Sequence, residues 1–103
     1  MSTRFSELTQ DGLDANTQFT TDWLDVSENE HVSYSVTGVS GAHDNHIVAL
    51  QFSLDKVKGR PVGSDITGEG ATDNVRTTAK WVRLRNRVVE GAASIVNVII
   101  QAK

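Results

Sequence analysis

The stretch from Trp81 to Ala102 constrains the fold more than any other part of the chain. Between Trp81 and Val89, Val82, Leu84 and Val88 fall on one face and Arg83, Arg85 and Arg87 on the other, because successive side chains of a strand point to opposite sides of a sheet. After Glu90-Gly91-Ala92-Ala93, a second apolar run extends from Ser94 to Ala102. The pattern predicts a β-hairpin with one buried and one wet face. Strict alternation also puts Trp81 on the arginine face. Either a bulge after Lys80 turns it inward, or it covers a sheet edge or a subunit interface.

The rest of the chain repeats the signal at intervals. Thr17 to Thr21 and Trp23 to Val26 are rich in Thr and aromatics. In His31 to Thr37, Val32, Tyr34 and Val36 alternate with Ser33, Ser35 and Thr37. Ile47 to Leu54 places Val48, Leu50, Phe52 and Leu54 on one side, joined to the preceding strand through the polar loop Gly38 to His46, for which a hairpin is the simplest connection. Asp55 to Gly70 reads as loop around Pro61-Val62, with short strands at Asp65 to Thr67 and Thr72 to Thr77. No segment carries the three-and-four spacing of a stable helix. The expected fold is all-β, an antiparallel β-sandwich or jelly roll over residues 17–103. Residues 1–16, where Phe5, Leu8 and Leu13 fit neither period, are expected to form an irregular N-terminal arm.

A chain of 103 residues holds one modest core. Its net charge of −3 disfavours non-specific nucleic-acid binding, since a basic surface normally dominates such domains. It has no cysteine, hence no disulfide or thiolate metal site. Neither a signal-peptide core nor a run long enough to cross a membrane is present, so a soluble chain made in the cytoplasm is expected.

Several groups invite a chemical reading. His43-Asp44-Asn45-His46 brings two imidazoles and a carboxylate into one loop, but a zinc site needs further ligands, and only His31 is available. A solvated hairpin loop is the simpler reading. Asp22, Asp25, Asp44, Asp55, Asp65, Glu69 and Asp73 mostly lie beside Gly, Ser, Thr or Asn, where carboxylates close turns, and they lack the ligand order of a calcium loop. Gly38-Val39-Ser40-Gly41 is not a nucleophile elbow, and Gly68-Glu69-Gly70 is not a phosphate loop. No catalytic, metal or cofactor residues are therefore assigned. Trp23 and Trp81 suit either packing or stacking on a sugar ring. Lys80, Arg83, Arg85 and Arg87 form a narrow positive stripe suited to carboxylates, within the sheet or across an interface.

Four segments together resemble small β-sandwich virion proteins of tailed bacteriophages: Thr21 to Ser27, Val48 to Asp55, Thr78 to Leu84, and Val96 to Lys103. Such proteins occur as head decoration or head-fibre proteins and as tail-fibre modules. Related modules often carry a Ser-x-Asp-Gly turn followed by an aromatic residue, whereas here Ser53-Leu54-Asp55 runs into Lys56-Val57-Lys58. The resemblance implies a non-enzymatic structural protein of the virion that binds the major capsid protein on the shell exterior. It further implies a homo-oligomer, with a trimer favoured, and neither nucleic acid nor membrane as partner. The expected interface residues are Phe5, Leu8, Trp81, Arg83, Arg85 and Arg87. The alternative is a glycan-binding or host-attachment module using Trp23, Trp81 or the His43 to His46 loop.

Overall fold

The computed structural model describes residues 6–76 and 79–103, without the side chains of Asp73 and Asn74. The described residues form eight strands and no helix: β1 (Ser6–Asp14), β2 (Leu24–Asp25), β3 (His31–Gly41), β4 (Ile47–Ser53), β5 (Arg60–Thr67), β6 (Gly70–Arg76), β7 (Trp81–Val88) and β8 (Ser94–Ala102). Sheet I has the order β1-β8-β3-β6 and sheet II the order β2-β7-β4-β5, with every pairing antiparallel. The protein is an antiparallel β-sandwich.

The order follows a simple rule. First pairs with last, β1 with β8, β2 with β7, β3 with β6 and β4 with β5, as in one long hairpin closed by the β4–β5 loop. Rolling that ribbon onto itself adds the β8–β3 and β7–β4 ladders. Every link except β4–β5 therefore passes from one sheet to the other.

This arrangement corrects the expected hairpins. β7 lies in sheet II and β8 in sheet I, and β3 and β4 are likewise divided. Alternation reports which face of a strand is apolar, but not which strand lies beside it. In the folded chain the apolar faces of β7 and β8 oppose one another across the core. Val82 and Leu84 from β7 and Val96, Val98 and Ile100 from β8 are all fully buried. They join Val32, Tyr34 and Val36 of β3 and Val48, Leu50 and Phe52 of β4 in a single cluster. Truncating Leu50 or Leu84, which sit opposite each other on β4 and β7, would cost about 2–5 kcal/mol.

Residues 6–14 are an edge strand, not an irregular arm. β1 pairs with β8 from Ser6↔Ala102 to Asp14↔Ile95, with a register shift between Gln10 and Leu13. Gly12 occupies the left-handed region there at φ 69°, and its N–H donates to Asn97 Oδ1 at 2.9 Å. The extra residue flips the phase, so Leu8 and Leu13 both pack against the core although five residues apart, which is why no period is visible. A bulge also explains Val88. β7 shifts register against β4 between Val48↔Asn86 and Ile47↔Val88, leaving Arg87 as the extra residue. Asn86, inward by alternation and fully buried, is the last inner residue before the bulge, and Val88 after it is exposed. Leu54, expected inward, lies beyond the end of β4 and is 76% exposed. Thr17 to Thr21 contributes only the bridge Thr20↔Arg85, and the expected loop over residues 55–70 contains the whole of β5.

Candidate interaction surface

The outer face of sheet II carries the arginine stripe. Trp81 stands opposite Asp25 on β2 and Ser53 on β4, and Arg83 stands opposite Gln51, in unbroken register. No bulge turns Trp81 inward. It remains half-buried on the arginine face, with Lys56 Nζ 3.9 Å and Lys80 Nζ 5.7 Å from its ring centroid. Trp23 is also half-buried and is covered by the Arg83 guanidinium at 4.2 Å. Both indoles therefore have a cation against the ring face, where the negative quadrupole attracts it.

The three arginines have different surroundings. Arg83 donates from Nε to Gln51 Oε1 at 2.9 Å, and burial, then the charge of Arg85, pulls its pKa below the usual guanidinium value. Arg87 reaches past β4 to Asp65, with Nη2 and Nε 2.6 and 3.1 Å from Oδ2. That pair is exposed, so it contributes no more than about 1 kcal/mol. Arg85 is exposed and has no side-chain partner among the described residues. Of the other expected interface residues, Leu8 packs inward and Phe5 lies outside the described residues.

Next to this face, the β4–β5 loop borders a cavity of about 520 Å³ lined by Phe52, Leu54, Lys58, Arg60, Pro61 and Val62, among others. Asp55 organises the loop. Its Oδ1 accepts from Val57 N–H at 2.9 Å, Lys58 N–H at 3.0 Å and Ser53 Oγ at 3.0 Å, and these hydrogen bonds lower its pKa. Asp25 and Asp14 cap local turns in the same way, through the N–H groups of Ser27 and Asn16. Asp55 thus closes a turn as expected, whereas Asp65 pairs with Arg87 and Glu69 accepts the Gly38 N–H from β3. The Asp73 side chain lies outside the described residues.

The His43 to His46 loop is solvated only in part: Asp44 and Asn45 are exposed, but its last residue is not. His46 is fully buried beside Glu90, which is 2% exposed. Glu90 Oε2 accepts from the backbone N–H groups of Asp44, Asn45 and His46 at 2.9–3.1 Å, and lies 3.0 Å from His46 Nδ1. These bonds, led by the one from the Asn45 N–H, hold its pKa down to about 2. His46 Nε2 lies 2.7 Å from the Gly68 carbonyl. Both ring nitrogens thus lie within hydrogen-bond distance of an oxygen, one on a side chain and one on the backbone.

This pair is where four sheet-to-sheet links meet. Glu90 belongs to the β7–β8 link, and its N–H donates to Ala15 at the start of the β1–β2 link at 2.8 Å. His46 ends the β3–β4 link, and Gly68 lies in the β5–β6 link. The sequence gives little warning of Glu90, a single acid in a short turn of small residues; alternation from Val82 and Leu84 puts Asn86 on the inner face but does not show its partners, Ala15 O and Thr17 O, to which its Nδ2 donates at 3.0 and 2.8 Å.

His43 stands edge-on to His46 with centroids 5.8 Å apart and takes part in a 3.0 Å hydrogen bond between Nδ1 and Ser94 Oγ. His31 begins β3, an eleven-residue strand whose other end leads to the loop, so the extended strand separates it from these rings. Among the described residues no three His, Cys, Asp or Glu side chains are placed to hold a metal ion.

No family model matches the chain, and no curated protein matches it. Among solved structures it is similar to the crystal structure of FLHE, at 10% identity over 96% of this chain and 94% of that one, with a TM-score of 0.53. It is also similar to the SPBc2 prophage-derived protein YomS, at 10% identity over 100% of this chain and 98% of that one, again with a TM-score of 0.53. At such identity the likeness is one of fold alone.

Proposed function

We propose that the protein is a component of a phage particle that acts by binding rather than by turnover, with the capsid exterior as its docking surface and the virion as its location. The observation that carries this reading is the outer face of sheet II, which bears Arg85, without a side-chain partner among the described residues, and two half-buried tryptophans braced by other cations. Aromatic and arginine side chains are the types enriched where proteins bind one another. The prophage origin of YomS supports the phage setting. We read the strand order as a jelly roll, an architecture used by viral capsid and lectin domains, which agrees with a structural role without deciding it. The buried histidine also fits such a role, because both its ring nitrogens are already engaged by Glu90 and Gly68.

A glycan-binding attachment module is the second reading, favoured by the presence of Trp23 and Trp81 on one face. A sugar ring stacking there would have to displace Arg83 or Lys56.

Mass spectrometry of purified particles from a phage carrying the gene, together with a glycan array probed with the purified protein, separates the two. The capsid reading expects the protein in every particle, tail or no tail, and no saturable glycan binding. Protein found only with tails, or absent from particles and bound to a glycan, replaces it with the second reading.

A further inference from the structure

Charge is divided along this chain and across the fold. Residues 1–55 contain nine carboxylates and one cation, whereas residues 56–103 contain nine cations and four carboxylates. The topology sets part of that division at opposite edges of the sandwich, although β7 with its three arginines lies beside β2. β1 and β2 are the terminal strands of the two sheets and contact one another, as do β5 and β6 on the far side.

At the β1–β2 edge, Asp11, Asp14 and Asp22 are exposed, and Gln10 Oε1 accepts the Asp22 N–H at 2.7 Å, which holds residue 22 beside β1. None of the three has an ion-pair partner among the described residues, although Arg83 and Arg85 of the neighbouring β7 flank residues 20–23. At the other edge, the exposed Lys58 and Arg60 side chains have no partner among the described residues, and the nearest carboxylate, Asp55, is engaged by the loop itself. Leu54 and Val57 flank them at 76% and 74% exposure, the highest of any large apolar side chains described. Lys56 between them adopts φ 63°, a conformation that non-glycine residues hold only when their surroundings fix it. A loop pinned by its own aspartate, holding two aliphatic side chains in water between free cations, is preorganised for contact.

We infer that this basic, apolar loop receives the acidic β1–β2 edge of a second copy of the chain. Charge complementarity selects the occupant, since the exposed carboxylates that match the loop, Asp11 and Asp22 foremost, lie on the opposite edge of the same molecule. Simple strand addition is disfavoured at both edges, by the Gly12 bulge in β1 and by Pro61 in β5, so the contact is made by side chains. Because the two surfaces differ, the contact is heterologous and repeats from copy to copy, closing into a ring or extending as a row. It is independent of the proposed docking to a capsid and is tested on purified protein alone.

The test is sedimentation velocity of the whole chain at about 50 mM and about 1 M NaCl, where the screening length falls to roughly 3 Å. The wild type is expected to associate at low salt and to dissociate at high salt. Lys58→Glu with Arg60→Glu, and separately Asp11→Lys with Asp22→Lys, should each give monomers at both salts. An equimolar mixture of the two double variants should recover the association, because each then presents the charge the other lacks. Circular dichroism checks that they fold, and the single changes Arg60→Glu and Asp11→Lys, each expected to weaken association at least tenfold, replace any double variant that does not. A wild type that stays monomeric at low salt, association indifferent to salt and to both reversals, or a mixture that stays monomeric would overturn the inference.

Discussion

Glu90 Oε2 lies 3.0 Å from His46 Nδ1 with both side chains out of solvent, and through this pair the β3–β4 and β7–β8 links, which belong to no common ladder, are joined. Removing one partner of a buried, hydrogen-bonded pair leaves the other with its desolvation uncompensated. Glu90→Gln, which keeps the size and loses the charge, should lower the thermal midpoint by on the order of 10 °C. His46→Leu should lower it comparably. The double variant should fall by less than the sum, since the two changes remove the same interaction. Calorimetry on the three variants measures this directly.

The same carboxylate sets an acid limit. Its folded pKa, about 2, lies below the ordinary carboxylate value of 4.5, so the folded state binds fewer protons than the unfolded state between those values. Stability from this group is fully present above about pH 4.5 and is lost as pH falls toward 2. Thermal midpoints across that window should drop steeply for the wild type and less steeply for Glu90→Gln. Parallel slopes would show that other carboxylates control acid unfolding.

Why this hub is hard to read from the sequence, when much of the core is plain, follows from what alternation encodes. Val32, Tyr34, Val36, Val48, Leu50, Phe52, Val82 and Leu84 are buried as their period predicts. Period assigns each strand a wet and a dry face, and the sandwich follows from that. It does not distinguish a hairpin from an arch between sheets, because Gly38 to His46 and Glu90 to Ala93 are polar or small enough for either. Bulges erase the period where they occur, at Gly12 and at Arg87. Glu90 lies in a turn with no period to report its burial, and although alternation faces Asn86 inward, the partners of both lie 44 or more positions away and leave no local record. The arginine stripe is legible as a face, but the division of its members among Trp23, Asp65 and solvent is not.

Close packing around the hub makes a glycine there irreplaceable. Gly68 has φ 68°, and a Cβ on it would lie 2.1 Å from the His43 carbonyl oxygen. Gly68→Ala should destabilise by more than about 1 kcal/mol, through both strain and collision. Gly91, in the β7–β8 link, has open space around its Cβ position and no positive φ, so Gly91→Ala should be neutral or slightly stabilising. Chemical denaturation of the two variants gives the comparison.

On the outer face of sheet II, Arg83 and Arg87 should respond differently to truncation. Arg83→Ala uncovers Trp23 and leaves Gln51 Oε1 without its donor, so a loss of about 1 kcal/mol and a changed tryptophan emission are expected. Arg87→Ala removes an exposed ion pair and should change stability by less than about 0.5 kcal/mol, with emission unchanged.

The most direct test of a binding role for this face is co-sedimentation of the purified protein with expanded phage shells, comparing wild type with Arg85→Glu. Arg85 has no side-chain partner within the described chain, so the variant should keep its thermal midpoint. Wild-type protein is expected in the shell pellet at saturating stoichiometry and Arg85→Glu in the supernatant. Wild-type protein that stays in the supernatant, or Arg85→Glu that pellets as well as the wild type, would contradict it.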